Sequence, residues 1–148
     1  MWNYKKSAVL SLVFIYIFSA AFLVLVATAP LAVKGFIAFY SKNPNLQISL
    51  TALVYAMILP VGYALSLLRQ LLRDAGQGKS FSPSNTKRLR HLSWCFYGAT
   101  AIIFGFGFFY TPLMILVPFT AFAGLVVRVV KNAFQTALEL QTENELTI

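Results

Sequence analysis

Charge is what this chain has least of. Only 11% of its 148 residues are Asp, Glu, Lys or Arg, and just four of them are acids. General acid–base catalysis by paired carboxylates, or an acidic path for cations through a membrane, needs acids inside the fold. Three of the four, Glu139, Glu143 and Glu145, instead crowd the C-terminal end, and the fourth is Asp74. One cysteine, Cys95, excludes an intrachain disulfide and a C-x-x-C redox couple. The one histidine, His91, lies between Arg90 and Leu92, too little for a metal centre that wants several ligands, and reads as solvated. Gly76-x-Gly78-Lys79 is too short for a phosphate-binding loop. With no nucleophile and base paired in any apolar segment, an enzyme is not expected, nor a cofactor or a bound metal.

Hydrophobic residues make up 59% of the chain and aromatics 16%, and the mean hydropathy is +0.74. Soluble domains do not have this composition. Apolar runs this long, without period-two alternation, satisfy their backbone in lipid only as helices, so an all-α integral membrane fold is expected. The net charge of +8 would suggest nucleic acid in a soluble protein. Here the cations flank apolar spans, where they set topology and meet anionic headgroups of the bilayer, and no direct nucleic-acid binding is expected.

The first apolar run, 7–33, follows Lys5 and Lys6, with Trp2 and Tyr4 suited to the interface. At ~1.5 Å per residue it exceeds a hydrocarbon core of ~30 Å and spans with tilt. Ala27-Thr28-Ala29 imitates a signal-peptidase site, but the run is longer than the usual ~7–15 apolar residues, and Pro30 would follow the cut. A retained span is expected. A loop from Lys34 through Lys42 and the turn Asn43-Pro44-Asn45 leads to a second span at 47–68, where Pro60 and Gly62 predict a helix kink.

Residues 69–91 are the long polar interval, holding six of the twelve basic residues against Asp74 alone. A helical extension of the second span should break at Gly76-Gln77-Gly78. Ser82 followed by Pro83 then reads as an N-cap and first helical position, with Asn85 where a full capping box would have an acid. The new helix carries Lys87, Arg88 and Arg90 to the membrane surface, which Trp94 marks. Residues 92–127 contain no formal charge, enough for two short spans at 92–110 and 112–130 broken near Pro112. Gly98, Ala101 and Gly105 share a face that permits close helix packing. The hydroxyls within the spans, such as Ser19, Thr28, Tyr63 and Thr100, read as bonded to backbone or to a neighbouring helix. A tail, 131–148, continues as an amphipathic helix and ends on the acids and Leu146-Thr147-Ile148.

With four spans, ten basic residues fall on the side of the termini and the polar interval, and two, Lys34 and Lys42, on the other. That bias puts both termini in the cytoplasm.

Two stretches carry a resemblance. Gly78 to Arg90, with Phe81, Ser82, Asn85, Arg88 and Leu89 between them, is similar to G-x-x-F-[ST]-x-x-N-x-x-R-L-R. Leu140 with Glu143-Asn144-Glu145-Leu146-Thr147-Ile148 is similar to L-x-x-E-N-[DE]-L-T-[IV]. Both resemble an uncharacterised family of small four-span bacterial membrane proteins classed only as a domain of unknown function. Its genes commonly lie beside one for a Cro-type helix-turn-helix regulator, and the resemblance implies a shared pathway.

The expectation is a regulatory protein of the bacterial cytoplasmic membrane. Phe81, Ser82, Asn85, Lys87, Arg88 and Arg90 of the loop, with Glu143, Asn144, Glu145 and Leu146 of the tail, contact either a cytosolic partner or each other. An acidic tail pairs naturally with a basic DNA-binding domain and competes with DNA. The alternative is an oligomeric transport or membrane-stress component whose path follows the Pro60 and Gly62 kink, or an accessory subunit of a membrane complex.

Overall fold

The computed structural model describes residues 4–40, 43–79 and 81–147. Trp2, Lys42, Ser80 and Ile148, read above, lie outside the described residues. All described elements are helical: α1 Tyr4–Tyr40, α2 Asn45–Ala56, α3 Ile58–Gly76, α4 Pro83–Gly107, a 3₁₀ turn at Thr111–Ile115, and α5 Leu116–Thr147. Three segments are long and apolar enough to cross a membrane: Lys5–Tyr40, Asn45–Gly76 and Thr111–Thr147. The fourth helix, α4, is not one of them.

One seam organises α1. Ala8, Leu12, Ile15, Ser19, Phe22, Val26, Ala29 and Val33 alternate spacings of four and three, and all are buried or half-buried. A 3.5-residue average of this kind keeps one stripe against a neighbouring helix. The rest of the helix turns outward, with Leu31 78% and Phe39 89% exposed. Such a surface is at ease in hydrocarbon and costly in water. The expected loop from Lys34 gives way to helix as far as Tyr40, because the seam continues: Val33 and Ile37 bury against Leu50 of α2, and Phe36 meets Tyr110 edge-on at 6.1 Å. Lys34 stands exposed beside the seam.

α2 and α3 are one apolar rod interrupted at Met57. Pro60 lacks the amide that would bond the Ala56 carbonyl, and its ring crowds that turn, so the break falls just before it. The ladder resumes with Val61 N donating to Met57 O at 3.0 Å. The helix is thus interrupted at Met57, upstream of the proline where the kink is expected.

α4 is the most buried element. Eight of its residues are buried, against one each in α2, α3 and α5. Its packing on α5 is close where Ser93 Oγ donates to the Gly124 carbonyl at 3.1 Å, and a Cβ on Gly124 would come within 3.1 Å of Phe96 and Tyr97. Further along, Thr100 Oγ1 donates to Thr120 Oγ1 at 2.9 Å. Gly98, Ala101 and Gly105 do not serve this contact: all three face outward. In order of packing the helices form an open row, α1 on α2 and α3, α3 on α4, α4 on α5, and α1 and α5 do not approach each other among the described residues. Ser19 and Thr28 bond the carbonyls four residues back, as their position in apolar helix suggests.

Candidate functional site

The polar hairpin joining α3 to α4 is built from two helix caps that lock into each other. α3 ends at Gly76, and Gly78 adopts φ +75°, the left-handed region glycine enters at low cost. Gly78 N then donates to the Ala75 carbonyl at 3.2 Å and Lys79 N to the Asp74 carbonyl at 2.9 Å, the paired bonds of a Schellman ending. Four residues after Lys79, α4 begins at Pro83 as its sequence predicts. Ser82 is extended and its Oγ accepts from Asn85 N at 3.2 Å, with Pro83 at the first helical position.

Asn85 joins the two caps. Its side-chain amide donates to the Lys79 carbonyl at 3.0 Å, its oxygen accepts from Arg88 Nη1 at 2.7 Å, and the residue is only 1% exposed. An amide suits the position where a glutamate would not, because this site needs a donor and an acceptor together. The same Arg88 nitrogen reaches Asp74 Oδ2 at 2.5 Å, an ion pair between α3 and α4 with about a quarter of each side chain exposed, 26% and 25%. It is the one ion pair among the described residues. Phe81 leans on Phe134 of α5 with ring centroids 5.0 Å apart, fixing the hairpin to the last helix of the row. A cavity of about 180 Å³ lies beneath, lined by Leu71, Leu72, Ala75, Asn85, Leu89 and Phe134.

The structure therefore brings Phe81, Ser82, Asn85 and Arg88 into one rigid unit and leaves Lys87 and Arg90 exposed on α4. Glu143, Asn144, Glu145 and Leu146 occupy the exposed last turns of α5. No ion pair joins them to Lys87, Arg88 or Arg90 among the described residues. Glu139 accepts from Gln135, one turn back, at 3.4 Å. At the kink, a Cβ on Gly62 would meet nothing within 4 Å, so that glycine is not held there by close packing.

Sequence reasoning missed three partners. Asp74 had a signal, being the lone acid among six cations. Phe134 had none beyond its place on an amphipathic face. His91, read as solvated, is exposed and in addition has a partner 28 positions away: the Tyr63 hydroxyl lies 3.3 Å from its Nδ1. Nearby, the Arg128 guanidinium stacks over the Trp94 ring at 5.6 Å and over Tyr97 at 5.8 Å, a cation–π bracket of the kind found at a wet boundary. No group of three or more His, Cys, Asp or Glu is placed to hold a metal among the described residues. Chemically, the hairpin offers a fixed shape with two outward cations, and the α5 extension offers a row of carboxylates.

Residues 3–148 match the family model described as Protein of unknown function (DUF2975). No curated protein and no solved structure matches the chain.

Proposed function

Because the chain belongs to that family, whose activity is undefined, we propose its role from its geometry: a four-span protein of the bacterial cytoplasmic membrane that docks a cytosolic partner. α4 is the fourth span, its hydroxyls covered by α5 through Ser93 and Thr100 so that they do not face lipid. Both termini and the hairpin are cytoplasmic, on the ten-to-two division of basic residues.

The observation that carries the docking role is the α5 extension. Past Phe134, its contact with the hairpin, the helix continues to Thr147, about 20 Å at ~1.5 Å per residue. It exposes Glu139, Glu143 and Glu145 together with Leu140 and Leu146 at 56% and 82%. An acidic helix with apolar anchors lies in a groove of a basic protein, and a DNA-binding domain of the helix-turn-helix class is the partner we favour. Held there, the regulator loses the surface that would meet phosphates. The test is recovery from native membranes of the full chain at low and moderate salt. A basic DNA-binding protein should co-purify at low salt and fall several-fold with moderate salt or with Glu143→Gln/Glu145→Gln. Recovery of no such protein at either salt removes the proposal.

A further inference from the structure

Between α3 and α4 a groove of about 620 Å³ runs along the side of the row, with Pro60 and Tyr63 on one wall and His91, Trp94, Gly98 and Ile102 on the other. Its lining is almost wholly apolar along its length and polar at one end, where the Tyr63 hydroxyl meets His91. That end is the one nearest the hairpin, since His91 follows Lys87 by one helical turn and Trp94 follows Arg90 by the same interval. Residues four apart on a helix share a face. The exposed Lys87 and Arg90 therefore stand above the groove's polar mouth. The Tyr63 hydroxyl lies 3.3 Å from His91 Nδ1, which leaves the other ring nitrogen, Nε2, for a ligand at the mouth.

An apolar channel capped by two cations and an imidazole has the polarity of a phospholipid. We infer that this groove holds one acyl chain of an anionic phospholipid, with the headgroup phosphate at Lys87, Arg90 and His91. The chain lies against Pro60, Gly98 and Ile102, and the phosphate sits where the first turns of α4 emerge. Charge complementarity selects this occupant over a zwitterionic lipid, because a headgroup with its own cation leaves Lys87 and Arg90 less attracted. A second copy of the chain presenting an apolar helix would leave both cations without a counter-charge. The inference takes from the proposed function only the placing of α4 in the membrane. It does not depend on which side the hairpin faces, and the test uses vesicles with identical leaflets.

Trp94 reports from inside the groove. The chain has two tryptophans, so Trp2→Phe leaves Trp94 alone, and its fluorescence is quenched by lipid brominated on the acyl chain. The full chain is reconstituted in phosphatidylcholine vesicles containing brominated phosphatidylglycerol or brominated phosphatidylcholine. Phosphatidylglycerol should reach half-quenching at a mole fraction about five- to thirtyfold lower, in keeping with the attraction of one or two basic residues. Lys87→Gln/Arg90→Gln should bring the two lipids to parity while quenching itself persists. Gly98→Leu should at least halve quenching by both lipids, because Gly98 lines the groove and an added Cβ there meets nothing within 4 Å. Parity of the two lipids with the Lys87 and Arg90 side chains intact overturns the inference. So does quenching indifferent to Gly98→Leu, or quenching that falls as protein-to-lipid ratio rises, which would assign the groove to a second copy.

Discussion

Asn85 uses both ends of its amide within the chain, the nitrogen on the Lys79 carbonyl and the oxygen on the Arg88 guanidinium. Replacing it by alanine removes both of these bonds from a position only 1% exposed and takes one partner from Arg88, whose side chain is about a quarter exposed. A buried group stripped of its partner costs about 1–3 kcal/mol. Asp74→Asn keeps an acceptor for Arg88 at a part-exposed site, and should cost under about 1 kcal/mol, as solvent-screened pairs do. Thermal unfolding in detergent should therefore rank Asn85→Ala below Asp74→Asn, with faster tryptic cleavage after Lys79 in the alanine variant. Equal losses would mean that the ion pair, rather than the amide, holds the hairpin. At this scale the sequence shows what is local. The Ser82–Pro83 start is legible because a cap is decided by adjacent residues. The choice of Arg88 for Asp74 is not, because six cations compete for one acid and only packing selects among them.

The break at Met57 and the Schellman ending at Gly78 divide the apolar chain into elements. If Pro60 causes the first, Pro60→Ala should join α2 and α3 into one continuous helix. A mid-helix proline costs about 3 kcal/mol, and a factor of ten is about 1.4 kcal/mol. Amide exchange across 57–61 should accordingly slow at least about tenfold. Unchanged exchange would trace the break to the docking of α2 on α1. Proline announces itself in a sequence, so an interruption near it is legible. The end of α1 is not: Lys34 reads as a boundary until Ile37 and Leu50 are seen to bury each other. The close crossing of α4 and α5 shows the same limit. Several small residues lie on different faces of α4, and a 3.6-residue period does not say which face meets a neighbour. Ser93 against Gly124 was chosen by the path of α5, while Gly98 was left facing the groove.

Taken whole, the molecule is a row of helices that leaves broad apolar surface on both flanks, and its topology depends on α4. Three helices pass as spans on length and composition alone. α4 has a polar beginning and its polar groups are satisfied by neighbours, a pattern that composition undervalues because hydrogen bonds between helices offset the cost of hydroxyls in lipid. The span number decides where the acidic extension lies. With α4 crossing, the hairpin and the end of α5 share a compartment, and a docking surface made from both exists. With α4 lying on the surface, they are on opposite sides of the membrane and the proposed function fails. Single cysteines in a Cys95→Ala background read this directly, placed at the exposed Ser84, at Asn144 and at Asn45. In intact bacteria, a membrane-impermeant maleimide should label Asn45→Cys and spare Ser84→Cys and Asn144→Cys until the inner membrane is opened. Labelling of Asn144→Cys in intact cells, with Ser84→Cys protected, would leave three spans and carry the glutamates away from any cytosolic regulator.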